Sequence, residues 1–167
     1  MTVMSNMGLD IAMRESGIEV VRTAVGDRYV LERMLQDGYV LGGEASGHMI
    51  FLEDNTTGDG VMSALHILQI MSETGKPLSE LAGQMQRLPQ VLVNVKCASE
   101  KKHLYKENQE IMDRIAQIES RLAGCGRVLV RPSGTEALVR VMLEGPDEAV
   151  INTYAQELAS LMRANMN

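Results

Sequence analysis

Val128-Leu129-Val130-Arg131-Pro132-Ser133-Gly134-Thr135-Glu136-Ala137-Leu138-Val139-Arg140-Val141-Met142-Leu143 reads as two β-type runs joined by a polar turn. The first run, Val128 to Val130, is β-branched and apolar. The second, Leu138 to Leu143, alternates Leu138, Arg140 and Met142 against Val139, Val141 and Leu143, the period of a strand with two different faces. Between them RPSGTE is too short and polar for anything but a tight connection. Antiparallel pairing follows, because only antiparallel neighbours can be joined by so short a link.

Working outward from this hairpin, Val91 to Val95 is another β-branched run. Leu104, Ile111, Ile115, Ile118 and Leu122 recur at helical spacing and predict one long amphipathic helix that Gly124 stops. After the hairpin, Gly145-Pro146-Asp147-Glu148 opens a final helix with Pro146 in its first turn and acids at its positive end. Val150, Ile151, Tyr154, Leu158, Leu161 and Met162 form its buried stripe. The order β-α-β-β-α describes a small antiparallel sheet covered by two helices, over residues 91–167.

Upstream the rhythm differs. Thr2 to Met4 and Ile18 to Val21 read as strands, and Met7 to Glu15 as a helix capped from Ser5-Asn6. Arg28 to Gln36 is a second helix with Asp27 as its cap and Gly38 as its stop. Tyr39 to Leu41 and Met49 to Leu52 are strands, and Gly58 to Glu73 is a third helix ended by Gly75 and Pro77. Such alternation predicts an α/β layer over residues 1–77, with 78–90 as linker.

Composition narrows the function. The 167 residues carry 16 Lys and Arg against 22 Asp and Glu, a net charge of −6, and 3% aromatics without Trp. Neither the field nor the stacking surfaces of a nucleic-acid binder are present. No apolar run reaches the roughly 20 residues that span a bilayer, and no basic-then-apolar leader opens the chain. Cys97 and Cys125 stand apart, as reduced thiols of a cytoplasmic protein do. No triad or metal-ligand spacing is present, so no metal site is expected in this chain.

Two loops carry chemistry. In Gly42-Gly43-Glu44-Ala45-Ser46-Gly47-His48 the glycines let backbone approach closely while Glu44, Ser46 and His48 present a carboxylate, a hydroxyl and an imidazole, a set suited to a polyol. A plain β-turn with solvated side chains is the alternative. In 131–140, Arg131 offers a planar fork for phosphate oxygens, Ser133 and Thr135 offer hydroxyls, Gly134 lets successive N–H groups converge, and Arg140 reaches the same point from the next strand. The alternative here is a hairpin turn whose arginines pair with surface acids. Asp54 to Gly60 reads as a helix-start loop, lacking calcium-loop spacing. His66 reads as a helix-face residue without an obvious partner.

GGEASGH (42–48) and RPSGTEALVR (131–140), in this order, resemble the α-D-phosphohexomutases. TVMSNMGL (2–9), VGDRYVLERM (25–34), NTTGDG (55–60) and LPQVLVNVK (88–96) are most similar to the bacterial branch that interconverts glucosamine 6-phosphate and glucosamine 1-phosphate. The resemblance implies an incomplete α/β third domain followed by the TATA-binding-protein-like C-terminal domain of a four-domain enzyme, an isomerase of carbohydrate metabolism. It implies that Gly43, Glu44, Ser46 and His48, with Asp27 and Arg28 from a cleft-facing turn, read the sugar, and that Arg131, Ser133, Gly134, Thr135 and Arg140 grip the substrate phosphate. The partners implied are a hexosamine phosphate and the enzyme's N-terminal domains; homodimerisation is left open. A phosphoserine and a Mg²⁺ would act in the complete enzyme, but neither a TxSHNP-type serine loop nor a DGDGDR-like metal loop occurs here, so no catalytic residue is assigned and the chain is expected to be inactive alone. A phosphoglucomutase or phosphomannomutase fragment, or a non-catalytic sugar-phosphate-binding module, are the other readings. Ala45 stands where the branch often has Gln, and Ala137 where the family usually has Pro, which would loosen the loop exit because Pro fixes φ. The similarity also implies a start inside the third domain, with an unpaired sheet edge in the first half.

Overall fold

A computed structural model describes residues 1–166, which divide into two units between Arg87 and Leu88. The division falls within the stretch 78–90.

The second unit is organised by its central strand. β3 (Gln90–Lys96), β4 (Arg127–Pro132) and β5 (Leu138–Glu144) form an antiparallel sheet in the order β3-β5-β4. Alternation sends Val95, Val139, Val141 and Leu143 to one face. There they meet Ile111, Ile115, Ile118 and Leu122 of helix α5 (Gln109–Leu122) and Ile151, Ala155, Leu158, Ala159, Met162 and Met166 of α6 (Glu148–Met166), in one buried cluster. Leu104 lies outside α5: two 3-10 turns, Ser99–Lys101 and Leu104–Lys106, precede it, and Asn108 caps α5 by accepting from the Ile111 N–H. Tyr105 is buried in place of Leu104, its hydroxyl donating to the Val130 carbonyl at 3.1 Å. Pro146 also falls outside its expected turn, because Asp147 caps α6 through the N–H groups of Ala149 and Val150. At the edge of the core, Glu144 is fully buried and accepts from Arg127 Nε at 2.6 Å, its cross-strand partner.

The first unit is looser. Helix α1 (Met7–Glu15) is capped by Asn6, and α2 (Asp27–Asp37) by Gly26 rather than Asp27. The strand expected at Ile18–Val21 does not form: Val21 accepts at its carbonyl from the N-terminal ammonium at 2.9 Å, and the one parallel bridge of this corner among the described residues lies beyond it, Thr2 to Thr23. Arg22 ties this corner together, pairing with Asp10 and donating to the carbonyls of Thr2 and Ser5. β1 (Leu41–Gly43) and β2 (Met49–Phe51) make a two-stranded hairpin. Thus Gly42 and Gly43 are strand residues, not loop residues. α2 lies against β1 because Gly42 has no side chain; a Cβ there would come within 2.3 Å of Met34 Sδ and 2.7 Å of Val30 Cγ1. Val30, Met34 and Ile50 are the buried core.

Helix α3 (Gly60–Thr74) is capped by Asp59 and buries no residue, leaving Val61, Leu65 and Leu68 more than half exposed. Helix α4 (Leu78–Ala82) follows. Among the described residues no helix is long and apolar enough to cross a membrane.

Candidate functional site

The β1–β2 hairpin presents residues 44–48. The Glu44 N–H donates to the His48 carbonyl at 2.9 Å, and Gly47, at φ +99°, donates to the Glu44 carbonyl at 3.1 Å, so the bend closes on its own backbone. Its three functional side chains form one chain of contacts. Ser46 Oγ donates to Glu44 Oε2 at 3.2 Å and lies 3.2 Å from His48 Nδ1. Glu44 Oε1 accepts from the Gly26 N–H at 2.6 Å. That bond sets Gly26, the residue before Asp27 and Arg28 at the start of α2, against Glu44; Asp27 itself accepts from the Arg28 N–H at 2.8 Å. Arg28 is exposed and donates to Glu32 at 2.7 Å, which raises its pKa further above the usual guanidinium value. The His48 ring sits over Gly58, where a Cβ would lie 3.2 Å from Cδ2. The bend therefore offers a carboxylate oxygen, a hydroxyl and an imidazole to solvent within a few ångströms, able to accept from and donate to vicinal hydroxyls.

His66 does have partners, although its sequence context shows none. Its Nε2 lies 2.8 Å from Asp54 Oδ2, and its ring stacks on Phe51 at 4.0 Å between centroids. This pairing ties α3 to the end of β2.

In the second unit, Arg131 is the last-but-one residue of β4 and stands opposite Arg140 of β5, which in turn stands opposite Asn94 of β3. All three share the face away from the helices. Directly opposed side chains lie about 5 Å apart, and like charges so placed repel. Arg140 offsets this by donating to Glu136 at 2.6 Å, while its own Nε is buried with no hydrogen-bond partner. Among the described residues the half-buried Arg131 guanidinium has no ion pair. The alternative of arginines held by surface acids is met at Arg140 and not at Arg131.

The bend between them is well braced. Ser133 is 3% exposed; its N–H donates to the Leu138 carbonyl and its Oγ accepts from the Glu136 N–H. The Cys97 N–H donates to the Ala137 carbonyl, extending the β3 ladder along the bend. Lys102 Nζ donates to the Ser133 carbonyl at 2.7 Å and the Glu136 carbonyl at 3.3 Å. Gly134 and Thr135 are exposed, and among the described residues their N–H groups, with that of Ala137, have no acceptor. Two guanidinium groups and three open amides at this bend supply the kind of donors that an anion requires. Lys102 and Asn94 were not singled out in the sequence. Lys102 has no periodic signal; only the 3-10 turns fold it back onto the bend.

Sequence comparisons match each of the two units to a domain of one family. Residues 1–88 match the model described as phosphoglucomutase/phosphomannomutase, alpha/beta/alpha domain III, and residues 92–161 that of the C-terminal domain. The chain belongs to the phosphoglucomutase/phosphomannomutase family. Within that family it is 56% identical to phosphoglucosamine mutase of Alkaliphilus metalliredigens, with 99% of this chain covering 37% of that protein, and 59% identical to that of Syntrophotalea carbinolica, with 99% covering 36%. The chain thus spans little more than a third of the length of these relatives. N-acetylphosphoglucosamine mutase of Aspergillus fumigatus has the same fold over 99% of this chain and 38% of its own, at TM-score 0.82 and 20% identity. The same fungal enzyme has been solved in complex with GlcNAc-6P and magnesium, matching at TM-score 0.78 and 19% identity over the same shares. In this chain no group of three or more His, Cys, Asp or Glu among the described residues is placed to hold a metal. These residues do not fit a magnesium site.

Proposed function

We propose that this chain is the substrate-binding part of a phosphoglucosamine mutase, which interconverts glucosamine 6-phosphate and glucosamine 1-phosphate for amino-sugar nucleotide and cell-wall precursor synthesis. The carrying observation is the pair of opposed arginines, Arg131 and Arg140, beside the open amides of Gly134 and Thr135. In this reading Arg131, Ser133, Gly134, Thr135 and Arg140 hold the phosphate that does not react. Ser133 acts mainly by holding the bend, since its Oγ already accepts from Glu136. Glu44, Ser46 and His48, on the bend that Gly43 leads into, read sugar hydroxyls, with Asp27 and Arg28 at the rim. The identity to proteins named phosphoglucosamine mutase favours amino-hexose phosphates over glucose or mannose phosphates.

A fixed anion grip allows one enzyme to use both isomers, because the sugar can turn end for end while its distal phosphate returns to the same seat. Phosphoryl transfer rests largely on positioning and charge stabilisation. The chain would supply those, whereas the phosphoserine nucleophile and the Mg²⁺ would come from the remaining length of the enzyme. A cytoplasmic setting belongs to the same reading and suits the free thiols Cys97 and Cys125.

Calorimetric titration of the chain with glucosamine 6-phosphate tests this. Saturable binding without any conversion to the 1-phosphate is expected. Arg131→Ala should weaken it by about 1.5–3 kcal/mol, the scale of a charge-assisted hydrogen bond, or roughly ten- to a hundredfold in Kd. Unaided turnover, or binding indifferent to Arg131→Ala, would refute the assignment.

A further inference from the structure

Among the described residues Lys102 is the one ammonium that touches the 133–137 bend, and it does so through backbone oxygen. Its Nζ lies 2.7 Å from the Ser133 carbonyl and 3.3 Å from the Glu136 carbonyl. Each of those oxygens belongs to a planar trans peptide, whose N–H points opposite to its C=O. The Ser133 carbonyl shares its peptide with the Gly134 N–H, and the Glu136 carbonyl with the Ala137 N–H. Drawing both oxygens to one cation therefore turns both N–H groups to the other side of the bend. Those are two of the three amides that have no acceptor among the described residues. The remaining bonds do only part of this work. Ser133 N–H to Leu138, Ser133 Oγ to Glu136 N–H, and Cys97 N–H to the Ala137 carbonyl brace the ends of the bend, and the Leu138 N–H donates to the Glu136 carbonyl at 3.0 Å and so helps to hold the Glu136–Ala137 peptide; among the described residues the Ser133 carbonyl accepts from Lys102 alone. Gly134 has no neighbour within 4 Å of a Cβ position and is not held by packing either.

We propose that Lys102 is a positioning residue of the anion seat: by binding the Ser133 carbonyl it aims the Gly134 N–H at the phosphate, and with the Leu138 N–H it holds the Glu136 carbonyl that sets the Ala137 N–H, without touching the phosphate itself. This rests on the reading of the bend as the phosphate grip. A charge-assisted bond to each carbonyl is worth more than the neutral bonds around it. Both side chains that could replace it are informative: Met keeps the apolar stem and loses the charge, and Arg keeps the charge and the donors.

The test follows backbone amide resonances of the 167-residue chain while inorganic phosphate and then glucosamine 6-phosphate are added. In the unaltered chain, the Gly134 and Ala137 amides should shift downfield together on phosphate addition. Lys102→Met should raise the phosphate Kd about tenfold, the equivalent of one charge-assisted bond, and abolish the shift at Gly134 while leaving a reduced one at Ala137. Lys102→Arg should restore both to within about threefold. Arg131→Ala is the control on the underlying reading: it should weaken phosphate while leaving the unliganded Gly134 and Ala137 resonances in place. If Arg131→Ala weakens phosphate but Lys102→Met binds it as the unaltered chain does, the positioning role is overturned and the grip stands. If the unaltered chain shows no phosphate response at the bend, the grip itself fails. Should Lys102→Met not fold, the unaltered chain still decides: Gly134 and Ala137 amides indifferent to phosphate, while the Arg131 side chain responds, overturn the proposal.

Discussion

Replacing Gly43 by Ala tests whether the close approach of β1 to β2 sets the sugar-facing bend. A Cβ on Gly43 would stand 2.7 Å from the His48 carbonyl oxygen and 2.7 Å from Met49 Sδ. The sulfur can swing aside by a rotamer change, but the carbonyl cannot, because it accepts from the Glu44 N–H at 2.9 Å. Either the overpacking strain remains, at about 1–3 kcal/mol, or the hairpin opens and that bond, worth about 1 kcal/mol net, is lost. The unit has little reserve, since its buried core is Val30, Met34 and Ile50. With a urea slope of about 1 kcal/mol per molar for a domain of this size, the midpoint of its transition should fall by about 1–3 M. Circular dichroism through a urea titration reads this, with amide shifts of residues 44–48 showing where the change lies. Gly60→Ala is the control: nothing lies within 4 Å of its Cβ position at the start of α3, so it should be neutral or stabilising by up to about 1 kcal/mol. A Gly43→Ala chain with an unchanged midpoint and unshifted Glu44 and His48 amides would refute the reasoning.

Other perturbations act on the second unit. Burial raises the Tyr105 pKa above its usual 10, because the phenolate would lose its hydration. The folded state then keeps a proton that the unfolded chain gives up, so this contribution is intact below about pH 10 and is lost as pH rises through the folded value. Thermal melts of the second unit should show stability falling above about pH 10, and Tyr105→Phe should flatten that fall; an equally steep decline in the variant would dismiss Tyr105 as its source. Leu158→Ala removes a fully buried side chain from the centre of the α6 stripe and should cost about 2–5 kcal/mol. For a unit of this size the melting point drops about 4–8 °C for each kcal/mol, and a change under 3 °C would contradict the packing described.

Strand and helix identity in the second unit was open to reading from the chain alone, because every element there has a face that must be buried. Period-two alternation at Leu138–Leu143 and helical spacing at Ile111, Ile115 and Ile118 each admit one conformation. That Glu44, Ser46 and His48 would sit on one bend, and Arg131 and Arg140 on one hairpin, was also legible, because residues so near in sequence stay near in space; the structure links the first three through Ser46 and sets the two arginines opposite one another. Apolar composition alone overstated order elsewhere. Ile18–Val21 looks like a strand but forms none, and Val61, Leu65 and Leu68 of α3 recur at helical spacing but stay exposed, because burial needs a partner that periodicity does not supply. Local capping chemistry also moved boundaries: Asp147 starts α6 beyond Pro146, and Tyr105 takes the buried place expected of Leu104. Contacts between residues far apart in the chain belonged to the tertiary structure alone. Glu44 reaching Gly26 and Lys102 reaching Ser133 and Glu136 span 18, 31 and 34 positions, and no local pattern encodes a hydrogen bond whose two ends meet only after the chain has folded.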